Sequence, residues 1–111
     1  MNYNKILLIV AMLLASFIKI SAQDYISGTV TDVKDIPLEG VTCTLISAKD
    51  SVKIAGAITK KDGSFRIPIN EKKKYLLDFS FIGFKKAQWT GISGNVGTIK
   101  MKEDEHQLQQ I

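Results

Sequence analysis

The stretch Thr59-Lys60-Lys61-Asp62-Gly63-Ser64-Phe65-Arg66-Ile67 places a turn signal between two runs that alternate apolar and polar residues. Asp62 and Gly63 both tolerate a positive φ angle, which suits the tight turn of a β-hairpin. After the turn, Phe65 and Ile67 share one face of a strand, whereas Ser64 and Arg66 share the other. We therefore expect a tight hairpin at Asp62-Gly63, with further strands packed around it.

The same two-residue alternation recurs along the chain and is interrupted by turn-forming segments. It predicts about seven short strands, over residues 24–31, 41–47, 54–59, 64–69, 75–81, 84–90 and 96–102. Regular short strands predict an all-β fold, an antiparallel β-sandwich, and the absence of crossover helices excludes parallel α/β folds. Pro68 predicts an edge position or a strand end. The pattern places Ile54, Gly56 and Ile58 on one face of the third strand and Gly97, Ile99 and Met101 on one face of the last.

Residues 1–22 have the layout of a helical secretory signal peptide. Lys5 supplies the positive start, Ile6 to Ile18 is a mainly apolar run of 13 residues, and Ala22 is a small residue at the cut. We predict cleavage between Ala22 and Gln23. The alternative is an uncleaved anchor, but the apolar run is shorter than the about 20 residues that a membrane span needs.

The 111-residue chain carries a formal net charge of +4, part of which lies in the leader. Residues 23–111 are enough for one small domain. The basic residues of this part stand beside predicted turns, at 60–61, 72–74 and 85–86. Lysines in such places keep edges and turns soluble, so we expect no nucleic-acid partner.

Four short segments occur in an order typical of one family: 26–32 (ISGTVTD), 36–42 (IPLEGVT), 59–65 (TKKDGSF) and 81–85 (FIGFK). With them the chain resembles the carboxypeptidase regulatory-like domain, a transthyretin-like β-sandwich. The resemblance implies a domain over residues 23–102. Its motif and turn positions are Gly28, Pro37, Leu38, Gly40, Asp62, Gly63, Phe65, Gly83 and Phe84.

In Bacteroidetes-type bacteria this domain is common at the N-terminus of TonB-dependent receptors and related outer-membrane barrel proteins. Residues 96–104 and the acidic, glutamine-rich tail at 103–111 resemble the junction that leads to the plug or barrel of those receptors. The chain is too short to supply a plug and barrel itself. We expect either a truncated piece of a longer receptor or a domain that acts alone.

The sequence offers few of the side chains that a catalytic site requires. A zinc peptidase site needs clustered His and Glu ligands and a general base, but the sequence has one histidine, His106, in the polar tail. That histidine lies outside the sandwich pattern, so no base is placed to activate a hydroxyl. In carboxypeptidases the resembling module carries no catalytic residues. We expect no enzyme activity, no cofactor and no metal.

Two weaker binding patterns have simpler explanations. Asp32, Asp35 and Asp62 match no calcium loop, and each stands where a turn favours an aspartate. A second set, the rings of Trp89, Tyr75 and Phe84, could offer a sugar-stacking platform, although core or edge packing explains it more simply.

The one cysteine, Cys43, cannot form an internal disulfide and is placed on the apolar face of its strand. We expect it to be a small buried core residue rather than a reactive thiol.

These observations lead to two hypotheses of function. The first is a non-catalytic module exported to the periplasm, on the inner side of the outer membrane, that docks to an outer-membrane or periplasmic protein through its loops or edge strands. The second is a free-standing periplasmic or surface module that binds carbohydrate or an envelope protein.

Overall fold

The computed structural model describes residues 3–16 and 23–105. These residues form a helix, α1 (Tyr3–Ser16), and seven strands: β1 (Asp24–Asp32), β2 (Thr42–Ser47), β3 (Lys53–Ile58), β4 (Ser64–Ile69), β5 (Tyr75–Ser80), β6 (Ala87–Gly91) and β7 (Gly94–Met101). The predicted cleavage residue Ala22, His106 and most of the tail lie outside the described residues.

Helix α1 is rich in apolar residues, and its side chains from Tyr3 to Leu13 are exposed, Leu7 and Leu8 among them. In the described part of the chain, no helix is long and apolar enough to cross a membrane. The helix is consistent with the predicted signal peptide, which stays a prediction.

The strands form two sheets, one in the order β4-β1-β7 and the other in the order β3-β2-β5-β6. The predicted seven-stranded β-sandwich is therefore confirmed. One pair departs from the antiparallel arrangement, because β7 runs parallel to β1. After β6 the chain returns to the first sheet, where β7 occupies the free edge of β1. The alternation of apolar and polar residues in β7 does not indicate whether its neighbouring strand runs parallel or antiparallel.

The core lies between the sheets and takes alternate residues from each strand. Tyr75, Leu77 and Phe79 of β5 are at most 3% exposed, and Ile26 and Val30 of β1 are fully buried. Burying each such side chain contributes about 1.5–3 kcal/mol to stability. Apolar burial at period two is therefore the main force that holds the sheets together.

The predicted β-hairpin at Asp62-Gly63 is wrong, because β3 and β4 belong to different sheets. The turn itself is present: the Lys60 amide donates to the Ser64 carbonyl at 2.9 Å, and the Gly63 amide donates to the Lys60 carbonyl at 2.8 Å. The preceding Thr59 amide remains bonded to Val41 of one sheet, whereas the Gly63 carbonyl accepts from the Val30 amide of the other. The turn is therefore a corner between the sheets.

Strand β3 presents its larger side chains to solvent. Ile54 and Ile58 share a face, as the pattern predicts, but they are 48% and 66% exposed. Ala55 and Ala57 pack against the core instead. A register shift opposite Leu45 and Ile46 interrupts the pairing of β3 with β2 at Ile54.

In β7, the prediction that Gly97 shares a face with Ile99 and Met101 is wrong. Ser27 of β1 pairs with Asn95, and Thr29 pairs with Thr98. Between these two pairs β7 has one residue more than β1, so β7 contains a bulge. Gly97 is exposed there with φ +77°. The extra residue turns Val96 towards the core, against which both Val96 and Ile99 pack.

The start of the sixth strand differs from the prediction, whereas the position of Pro68 agrees with it. The sixth strand begins at Ala87 rather than Phe84, which forms an isolated bridge to Glu103. Pro68 lies inside β4, an edge strand of the first sheet, so the predicted edge position is confirmed.

Candidate docking end of the sandwich

The three aspartates considered as cation ligands each stabilise their own segment. The Asp32 carboxylate accepts from the Lys34 and Ile36 amides at 2.8 and 3.0 Å. Asp35 forms an ion pair with Lys100, with 3.0 Å between its Oδ1 and Nζ. Within residues 3–16 and 23–105, no group of three or more His, Cys, Asp or Glu side chains is arranged to hold a metal ion.

Asp62 organises the corner between the sheets. Its Oδ1 accepts from the Ser64 hydroxyl at 2.6 Å and from the Ser64 amide at 3.0 Å. The hydroxyl bond is the first cause that lowers the pKa of this exposed carboxyl below the ordinary aspartate value, and the amide bond adds to it. The side chain therefore acts as a turn former.

Cys43 is fully buried in β2, as predicted. Burial raises the pKa of its thiol to about 12, because the charged thiolate would lose its hydration. A neutral, enclosed thiol is a poor nucleophile and metal ligand.

The three rings considered as a sugar platform do not share a surface. Tyr75 is buried and donates its hydroxyl to the Glu71 carbonyl at 2.7 Å. The ring of Phe84 packs against Phe81 beyond the other end of β5, with 5.5 Å between centroids. Trp89 packs against the core and lies so close to Gly91 that a Cβ there would clash with its ring. All three rings serve packing.

Most of the predicted motif positions meet at one end of the sandwich. Residues 33–40 fold back along β1: the Leu38 amide donates to the Val30 carbonyl at 3.0 Å, and Pro37 bridges to Thr31. The exceptions are Gly28 and Phe65, which pair with each other in the middle of the first sheet. We call the set formed by residues 33–40, 58–63, 81–85 and 102–105 the exit end.

Thr59 fastens the first loop of the exit end to the second sheet. Its buried hydroxyl donates to the Leu38 carbonyl at 2.6 Å and accepts from the Val41 amide at 2.9 Å. The Gly40 amide donates to the Thr59 carbonyl at 3.1 Å. One side chain thus satisfies two backbone groups that the loop would otherwise leave unpaired.

Gly63 closes the contact between the corner and this loop. Its φ of +81° is a conformation that favours glycine, and a Cβ would lie 2.5 Å from the Val30 carbonyl oxygen and 3.2 Å from Pro37. Only a residue without a side chain allows this approach.

The loop at residues 81–85 is bonded to the segment that follows β7. The Lys85 amide donates to the Lys102 carbonyl at 2.8 Å, and the Asp104 amide donates to the Gly83 carbonyl at 2.9 Å. Gly83 adopts φ +85°, which lets the chain turn between Phe81 and Phe84. These bonds hold residues 102–104 against the loop at residues 81–85.

The exit end exposes four large apolar side chains: Val33 at 59%, Ile36 at 55%, Ile58 at 66% and Ile82 at 90%. A cavity of about 330 Å³ lies beside two of them, between the loop at residues 33–36 and residues 101–105. Exposed apolar side chains grouped in this way are typical of protein interaction surfaces.

None of these four residues is among the motif and turn positions predicted from the sequence. For three of the four, the signal is a large apolar residue inside a turn segment: Val33 between Asp32 and Lys34, Ile36 between Asp35 and Pro37, and Ile82 before Gly83. A surface turn has no packing reason to carry such side chains.

The four edge strands are poorly suited to adding a further strand. Pro68 removes a donor from β4, and bulges interrupt β3 and β7. Strand β6 has five residues and follows Lys85 and Lys86. Docking through the loops of the exit end is therefore favoured over strand addition.

These observations define a small β-sandwich module. The chain belongs to the carboxypeptidase regulatory-like domain family, whose model matches residues 25–102. The resemblance drawn from the four sequence segments is thereby confirmed. No curated protein matches the sequence.

Two solved structures have a similar fold. The Bacillus anthracis TIE protein aligns over 75% of this chain and 18% of its own, with a TM-score of 0.57 and 14% identity. The group B streptococcus pilus 2b backbone protein aligns over 76% of this chain and 42% of its own, with a TM-score of 0.58 and 14% identity. The chain thus spans less than half of either structure, and the likeness concerns the fold alone.

Proposed function

We propose that this chain is an exported, non-catalytic docking module, the N-terminal domain or a fragment of a TonB-dependent outer-membrane receptor or barrel protein. It works on the periplasmic side of the outer membrane, and its exit end contacts the plug or barrel domain that follows it in the receptor. The single observation that carries the proposal is the group of exposed apolar side chains at the end where the chain continues past residue 105.

The group has the character of a docking site because each of its members exposes more than half of its surface to solvent. Ile82 is 90% exposed, and Ile58 is 66% exposed. Fully burying a side chain of this kind against a partner contributes about 1.5–3 kcal/mol. A few such contacts would hold a neighbouring domain that is already tethered, because a tether raises its effective concentration.

The hydrogen bonds between residues 81–85 and 102–105 support the same assignment. They hold the outgoing chain against the loop that carries Ile82. The last described residues therefore lie beside the loop of the exposed isoleucine, and a plug or barrel tethered through the tail is the occupant that we propose.

The absence of catalysis rests on the chemistry of the described residues. Their acidic side chains form no ligand cluster, and the one cysteine is buried and neutral. The periplasmic and receptor context rests on the signal-like leader and on the likeness of residues 96–111 to a receptor junction.

The proposal is tested by fractionating the native bacterium and reading the DNA downstream of the Ile111 codon. We expect a mature protein that begins at Gln23, recovery with the outer membrane, and a downstream frame that encodes a plug and barrel. Retention in the cytoplasm, or a downstream frame without plug or barrel, would contradict the receptor assignment.

A second candidate is a free-standing exported module that binds carbohydrate. The observation that favours it is a polar recess on the outer face of the first sheet, lined in part by Ser27, Thr29, Arg66 and Asn95. A complete, exported protein that ends at Ile111 would support this candidate.

A further inference from the structure

The outer face of the first sheet contains a recess of about 270 Å³ at the middle of β1. Ser27 pairs with Arg66 of β4 on one side and with Asn95 of β7 on the other. Thr29 pairs with Ser64, and Lys60 of the corner closes the rim. We name this place the sheet recess; its lining residues are Ser27, Gly28, Thr29, Lys60, Ser64, Phe65, Arg66 and Asn95.

The charged side chains in the lining are cationic. The Arg66 guanidinium carbon lies 3.6 Å from the centroid of the Tyr25 ring, so the planar group is held over an aromatic face. Neither ion pair recorded within residues 3–16 and 23–105 involves Arg66 or Lys60. An arginine held in this way can present its edge N–H groups to an oxyanion.

Neutral hydrogen-bond donors also line the sheet recess. Asn95 uses its side-chain oxygen to accept from the Gly97 amide at 2.8 Å, which leaves its NH₂ group as a free donor. The hydroxyls of Ser27 and Thr29 belong to the same lining. Asp62, two residues from Lys60, is not in the lining. Its carboxylate accepts from Ser64 and also attracts the Lys60 ammonium, so Arg66 is the main cation of the recess and Lys60 the secondary one.

The position of the recess favours a saccharide over a peptide. Strand β1, at the middle of the recess, pairs on both sides and offers no free backbone edge to an extended peptide. The outer edges belong to β4 and β7, which Pro68 and a bulge interrupt. The volume is slightly below the about 300–1,000 Å³ of sites for drug-sized ligands. It suits a single sugar ring with its charged substituent.

We infer that the sheet recess binds an anionic saccharide, with a carboxylate or phosphate of the sugar held by Arg66 and Lys60. The hydroxyls of Ser27 and Thr29 and the amide of Asn95 contact the sugar hydroxyls. The recess is separate from the exit end, so this inference does not depend on the proposed docking, and either can fail alone.

Isothermal titration calorimetry at low salt tests the inference. The protein is purified in the form that the cell exports. The charged probes are oligogalacturonate, which carries carboxylates, and glucose 6-phosphate, which carries a phosphate; maltotriose, inorganic phosphate and a polyglutamate peptide are the comparisons. We expect at least one charged sugar to bind with a Kd below about 1 mM. Binding of oligogalacturonate would identify a carboxylate as the recognised group, and binding of glucose 6-phosphate would identify a phosphate.

Two variants distinguish binding at the sheet recess from general attraction to the positive charge of the protein. Arg66→Gln should weaken binding of the charged sugar at least about tenfold, because a charge-assisted contact is lost. Lys72→Gln removes the same charge at an exposed position outside the recess and should leave binding unchanged. Thermal unfolding of both variants shows whether the fold is intact.

Several results would overturn the inference. These are the absence of binding by either charged sugar, equal binding of maltotriose, and unchanged affinity in Arg66→Gln. Inorganic phosphate that binds as tightly as the charged sugars would show that the sugar ring contributes nothing. A polyglutamate peptide that binds as tightly would identify the recess as a site for acidic peptides instead.

Discussion

The ring of Phe65, from the first sheet, meets the ring of Phe79, from the second, edge to face in the core. The ring centroids are 5.4 Å apart, and the planes are inclined by 66°. Such a pair contributes about 0.5–1.5 kcal/mol beyond the burial of its surface. Because Phe79 is fully buried, this contact is a direct link between the sheets.

Truncation of Phe79 should therefore be costly. We expect Phe79→Ala to lower the free energy of unfolding by about 3–5 kcal/mol, from lost burial and from the cavity left behind. Urea denaturation measures the change. Lys73→Ala, at a partly exposed position, should stay within about 0.5 kcal/mol of the parent chain. A loss below about 1 kcal/mol for Phe79→Ala would contradict the core assignment.

The corner at Gly63 should tolerate no side chain. In Gly63→Ala, a Cβ would meet the Val30 carbonyl oxygen at 2.5 Å in addition to the strain of a φ of +81°. Gly94→Ala is the matched control, because Gly94 has φ +94° but nothing within 4 Å of the added Cβ. Strain alone should cost the control about 1–2 kcal/mol.

We expect Gly63→Ala to be clearly more destabilising than Gly94→Ala in the same thermal or urea measurement. Equal losses in the two variants would show that the close approach to Val30 and Pro37 does not constrain the corner.

The hydroxyl of Thr59 should stabilise the first loop of the exit end. Thr59→Val keeps the shape but leaves the Val41 amide and the Leu38 carbonyl without this partner. Each buried group left unpaired costs about 1–3 kcal/mol. Thr59→Ser retains the hydroxyl and should lose much less stability. Hydrogen exchange at the Val41 amide gives a local readout, and unchanged protection in Thr59→Val would contradict this role.

The thiol of Cys43 should be unreactive in the folded chain. Its pKa is raised to about 12 by burial, so almost no thiolate is present at pH 8. A coloured disulfide reagent should modify it only after denaturant is added. Rapid modification under native conditions would show that the core around β2 opens readily.

The sequence predicts the buried faces of most strands, since burial follows directly from alternation. Tyr75, Leu77 and Phe79 are the clearest example, and all three are buried. Sheet membership is different, because it depends on pairing between distant residues. Nothing in the residues around Asp62-Gly63 distinguishes a hairpin from a corner between sheets.

The candidate site follows from the sequence only in part. The turn positions Pro37, Gly63 and Gly83 are visible as breaks in the pattern, but their meeting at one end depends on the topology. The outward direction of Ile58 could not be predicted, since the alanines beside it fill the narrow space next to the core.

The most direct test of the docking account is photo-crosslinking in the native bacterium, with p-benzoylphenylalanine placed at Ile82 or, as the control, at Ile92. Both isoleucines are exposed, but Ile92 connects β6 and β7 at the opposite end of the sandwich. We predict that the probe at position 82 joins the chain to a plug or barrel domain of an outer-membrane protein and that the probe at position 92 does not. Capture of that domain from position 92 alone, or from neither position, would contradict docking through the exit end.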